Sequence, residues 1–61
     1  MYEVKTVDVF DPFESKEIYS LEEVIKKYPS YINEINQLPI GKRLFKEGFA
    51  QNTYIKNIGE V

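Results

Sequence analysis

From Ser20 to Leu38 the apolar positions recur at helical spacing, whereas the stretches on either side read as strands. Leu21, Val24, Ile25 and Tyr28 fall within about 100° of a 3.6-residue wheel and so form one apolar face. Ser20 and Glu23 make the S-x-x-E pattern in which each side chain satisfies a backbone donor at the helix start. Tyr19, just before the cap, is placed to close on Val24. Glu22–Lys26 and Glu23–Lys27 are i,i+4 pairs in the favourable order. Pro29 forces Tyr28 out of helical geometry, so the first helix is expected over 21–27. A second is expected over 30–37, capped by Ser30 and stopped by Pro39. Tyr31, Ile32, Ile35 and Leu38 span about 120° of its wheel, while Asn33, Glu34, Asn36 and Gln37 face away.

The N-terminal YEVKTVDVF is rich in Val, Thr and aromatics, which suit a pleated, half-buried surface. Its alternation slips phase: Tyr2 and Val4 are even, Val7 and Val9 odd. Either a bulge lies near Lys5-Thr6 or both faces of the strand are covered. Asp11-Pro12 initiates a turn, and EIYS is short enough to be the returning strand. A β-hairpin over 2–10 and 16–19 is expected. The segment IGKRLFKEG fits two states, a helical turn closed by Gly48 or a strand entering a Glu47-Gly48 turn. NTYIKNI reads as a terminal strand. Strands at both ends and helices between predict an α+β fold. It is a single domain over 1–61, with a small antiparallel sheet completed by a C-terminal strand or hairpin.

Length and composition narrow the function. Sixty-one residues with 43% apolar content make one folded domain. A chain this small buries only about 60% of the surface its unfolded form exposes; many such domains fold alone, but help from a larger partner or a second copy would be unsurprising. With neither Cys nor His, disulfides, thiolate zinc and imidazole chemistry are excluded. No apolar run approaches a membrane span, and Met1-Tyr2-Glu3 does not begin a signal peptide. A cytoplasmic setting with no membrane partner and no cofactor follows as the expectation. Asp8, Asp11, Glu14 and Glu17 recur every third residue but lack the loop pattern of calcium sites, so no metal is expected. Catalysis would need a tuned acid or base in a pocket, which so small a core has little room to build. No enzymatic activity is expected.

Charge then separates two binding classes. Net charge is −2, but residues 1–29 carry four Lys against seven acids, while residues 30–61 carry Lys42, Arg43, Lys46 and Lys56 against Glu34, Glu47 and Glu60. Lys42, Arg43 and Lys46, interleaved with Leu44, Phe45 and Phe49, are the strongest positive cluster and the first candidate for partner binding. Asn33, Asn36 and Gln37 are candidates of a different kind, since such side chains bond adenine edges. The leading expectation is a small protein that docks onto a larger one as inhibitor, adaptor or regulator, of the stand-alone kind common in phages. The alternative is a helix-turn-helix-like DNA-binding transcriptional regulator. Against it stand an acidic chain, a Tyr28-Pro29-Ser30 connection without Gly, and Glu34 on the outward face.

Overall fold

A computed structural model describes residues 1–11 and 13–59. Strands β1 (Tyr2–Asp8) and β2 (Glu14–Tyr19) are followed by helix α1 (Leu21–Lys27), a 3-10 turn (Pro29–Tyr31) and helix α2 (Ile32–Asn36). Strands β3 (Arg43–Glu47) and β4 (Gln51–Asn57) close the chain. The four strands form one antiparallel sheet in the order β2-β1-β4-β3, an α+β fold with the expected N-terminal hairpin and a C-terminal hairpin. The ambiguous segment is therefore a strand. It is entered through a turn in which Lys42 N–H donates to the Pro39 carbonyl (3.0 Å) with Gly41 at φ +86°, a position open to glycine at no steric cost. The turn expected at Asp11-Pro12 includes Pro12, which lies outside the described residues. Beside it, Asp8 Oδ1 accepts the Phe10 N–H at 2.8 Å.

The phase slip in β1 has neither of its expected causes. The register runs unbroken from Tyr2 opposite Asn57 to Asp8 opposite Gln51, without a bulge, and the helices cover only one face. Tyr2 and Val4 point into the core, while Val7 lies among its neighbours on the helix-free face. The strand ends at Asp8 instead of residue 10, and β2 starts at Glu14, two residues earlier than expected.

Buried Tyr2, Val4, Val24, Ile35 and Ile55 make the core, with Tyr19, Ile25, Tyr28, Tyr31, Leu38 and Leu44 packed around it. Helix α1 has the expected bounds because its capping box forms. Glu23 N–H donates to Ser20 Oγ (3.2 Å), and Ser20 N–H donates to Glu23 Oε1 (3.1 Å). The expected i,i+4 ion pairs are not among the salt bridges of the described residues. Glu23 turns back to the cap, and Lys27 Nζ donates to the Tyr19 hydroxyl at 3.0 Å.

The second helix departs from expectation. Pro29, with its fixed φ, opens a tight turn directly, and Tyr31 N–H donates to the Tyr28 carbonyl at 3.1 Å. Ser30 lies inside that turn and caps nothing, and the α-helical part is Ile32–Asn36 alone. Leu21 and Ile32, expected on the apolar faces, remain exposed. Asn57 ties the end of α2 to the sheet, its Nδ2 donating to the Leu38 carbonyl at 2.8 Å.

The capping box carries a stability prediction. Ser20→Ala should cost about 1 kcal/mol in chemical denaturation, because a donor at the helix start loses its partner. The hydrogen bonds from Ser20 hold the Glu23 carboxyl below its usual range. The Glu23 half of the box therefore stabilises the fold above the ordinary carboxylate range and fades as pH falls through the lowered folded-state pKa. A denaturation midpoint unchanged by Ser20→Ala would place the start of α1 elsewhere.

Candidate docking surface

Strand alternation puts odd-numbered residues of β1 and β3, and even-numbered residues of β2 and β4, on the face that no helix covers. Its middle row runs Lys16, Lys5, Tyr54, Phe45 across the four strands, and an end row runs Ile18, Glu3, Lys56, Arg43. Tyr54 and Phe45 are direct cross-strand neighbours, with ring centroids 5.0 Å apart and planes tilted by 45°. The Arg43 guanidinium lies 5.0 Å from the Tyr54 centroid and Lys5 Nζ lies 5.8 Å from it, so two cations rest on one ring. Phe45 remains 48% exposed, so the aromatic pair is open to a partner.

The charges on this face are unequally matched. Lys5 pairs with Glu14 (3.3 Å) and Lys16 with Glu3 (3.8 Å). Arg43 and Lys56 stand directly opposite each other, and neither belongs to an ion pair among the described residues. Like charges facing each other across a ladder are unfavourable, and Glu3 of β1 faces Lys56 from its other side.

Strand β3 divides the basic trio. Lys42 lies just before the strand and is exposed, and Arg43 reaches over Tyr54 on the helix-free face. Lys46 is on the other face, where it binds Glu34 of α2 at 2.6 Å and sits 5.0 Å over the Tyr31 ring. Asn33, Asn36 and Gln37 are all exposed on α2, on the helical layer with Lys46 and away from Arg43. The six candidates thus fall on two surfaces, and Arg43 is the one that joins the aromatic pair.

Sequence reasoning missed Tyr54 as a site residue, because only the strand register sets it beside Phe45 and under Arg43. It also missed the tip of the sheet. There Val9 N–H donates to the Ala50 carbonyl (2.9 Å), bringing the two hairpin turns side by side. Phe10, Phe13 and Phe49 are 79, 67 and 96% exposed at this end. Their signal was present in the sequence, since each lies within or next to a turn, where an aromatic ring has no layer to pack against.

On the helical side, a cleft of about 30 Å³ lies between α1 and β2, lined in part by Glu17, Tyr19, Lys27 and Tyr28. The Tyr19 hydroxyl donates to Glu17. Hydrogen bonding to Tyr19 pushes Lys27 up, and burial pushes Tyr28 up. Both shifts move the group further from neutrality, so at neutral pH Lys27 stays charged and Tyr28 stays protonated. No helix among the described residues is long and apolar enough to cross a membrane. Comparison of the chain with protein families, with curated proteins and with solved structures gave no match.

Proposed function

We propose that the protein is a non-enzymatic docking module of the cytoplasm. It binds a larger protein through the helix-free face of its sheet and acts as inhibitor, adaptor or regulator. The observation that carries this reading is the open Phe45–Tyr54 pair with the Arg43 guanidinium on it. Aromatic and Arg side chains supply most of the energy at the centres of protein interfaces. Arg43 and Lys56, which form no ion pair among the described residues, fit with Lys42 a partner that sets carboxylates around an apolar centre.

The test starts with capture of the partner from the native host, its identification by mass spectrometry, and calorimetry with the purified pair. Arg43→Glu should weaken binding by more than about 1 kcal/mol while the circular dichroism spectrum is retained. Asn33→Ala combined with Asn36→Ala should matter less. The DNA-reading alternative makes the opposite ranking. Duplex binding would then depend on Asn33, Asn36 and Gln37, and its affinity would fall with salt at a log–log slope of about −0.9 per phosphate contacted.

A further inference from the structure

Strand β3 is an edge of the sheet, and its outer side faces no other strand among the described residues. Asn57 N–H donates to the Lys42 carbonyl (3.1 Å), which sets the alternation of the backbone. Leu44 and Lys46 turn their N–H and C=O groups to β4, and Arg43, Phe45 and Glu47 turn theirs outward. The outward residues read cation, aromatic, anion, with the aromatic in the middle. We propose that β3 pairs antiparallel with β3 of a second copy, about a two-fold axis at Phe45, to form a dimer with one continuous eight-stranded sheet.

That register makes every outward group complementary to its counterpart. Phe45 exchanges both backbone hydrogen bonds with Phe45 of the second copy. Arg43 falls opposite Glu47 of the second copy, and the symmetry repeats the ion pair at the other end. Neither residue has an ion-pair partner within its own chain among the described residues, so the interface takes charges that are free to be used. Carried past the strand ends, the same register aims Phe49 at Gly41 of the second copy, beside Ile40. These two side chains are 96% and 73% exposed.

The other edge lacks this arrangement. On β2, Lys16 and Glu14 are already bound to Glu3 and Lys5 of their own chain. Charged residues and short strands blunt an edge against general pairing, whereas a self-complementary charge pattern admits one partner in one register. A domain of this size also gains most from added buried surface. Pairing leaves the two Phe45–Tyr54 pairs uncovered and side by side on the helix-free face, but it engages Arg43, so the dimer and an acidic partner draw on the same cation.

The proposal is tested by sedimentation equilibrium on the full chain from micromolar to millimolar concentration. The expected mass is twice that of the 7.2 kDa chain. Arg43→Glu should raise the dimer dissociation constant by about tenfold or more, since it sets carboxylates against carboxylates at both ends. Arg43→Glu combined with Glu47→Arg should bring the constant back to within about threefold of the original, because the symmetric pairing accepts either polarity. The same double variant should still fail to bind the acidic partner proposed above, which separates the two interactions. Amide exchange gives a readout without mutation: the N–H groups of Arg43, Phe45 and Glu47 should be protected in concentrated samples and lose protection on dilution. A chain that stays monomeric, oligomers that grow beyond the dimer, or association that the double variant does not restore would each overturn the proposal. Should a variant lose its circular dichroism spectrum, amide exchange in the wild-type chain decides.

Discussion

Ile55→Ala is expected to remove most of the stability of the fold at 25 °C. Ile55 is fully buried and sits in β4 directly between Val4 of β1 and Leu44 of β3, in one core cluster with Val24 and Ile35 of the two helices. Among the described residues of the strands, Ile55 alone is fully buried. Truncating a buried Ile costs about 2–5 kcal/mol, transfer energy plus the cavity left behind. Domains are stable by roughly 0.05–0.15 kcal/mol per residue, so for a chain this short the loss matches much or all of the total. A large fall in the denaturation midpoint would show it. Ile40→Ala, at a side chain 73% exposed, should stay within about 0.5 kcal/mol of the parent. An Ile55→Ala protein as stable in denaturant as the parent would mean that the core is not centred there.

The second large effect is expected at Gly48, between β3 and β4. A Cβ at this position would lie 2.2 Å from the Gln51 carbonyl oxygen, a backbone atom that cannot move aside without remaking the turn. Gly48→Ala should cost about 1–3 kcal/mol in urea denaturation, the range of overpacking. It should also loosen β3 from β4, and with it the seating of Phe45 and Arg43 against Tyr54. Gly41→Ala is the informative comparison, because there a Cβ meets nothing within 4 Å and the penalty is backbone strain alone at φ +86°. Gly48→Ala should therefore perturb the β3 and β4 amides and partner binding together. Gly41→Ala should lower stability with less effect on either. Equal behaviour of the two variants would refute the close approach at Gly48.

Local signals carried the elements, and register carried the surface. The S-x-x-E box placed α1 correctly because its hydrogen bonds span only three residues. The N-terminal hairpin and the terminal strand were legible for a similar reason, from Val, Thr and aromatic runs with turn residues between. What failed was chiefly what depends on contacts far apart in the chain. Residues 40–48 suit a helical turn or a strand, and pairing with β4 decides for the strand. That decision also splits the basic trio. On a helix, Lys42, Arg43 and Lys46 would share a face at i, i+3 and i+4 spacing, whereas a strand sends Arg43 and Lys46 to opposite sides. Ser30 failed as a cap because Pro29 preorganises a tight turn one residue earlier. Arg43 was named from the sequence, but its aromatic setting exists only once β3 and β4 are aligned.

The order β2-β1-β4-β3 makes the first and last strands the central pair of the sheet. The two hairpins are local, but the ladder that unites them joins the beginning of the chain to its end, Tyr2 to Asn57. Such a topology has a high contact order, and forming it costs the loop entropy of nearly the whole chain before the core repays any of it. On a ribosome, helices and hairpins can come and go as the chain emerges, but Val4 has no Ile55 to meet until β4 has been made. The sheet can therefore close only once β4 has been made, and until then the phenylalanine-rich turns and unpaired strand edges are open to chaperones and proteases.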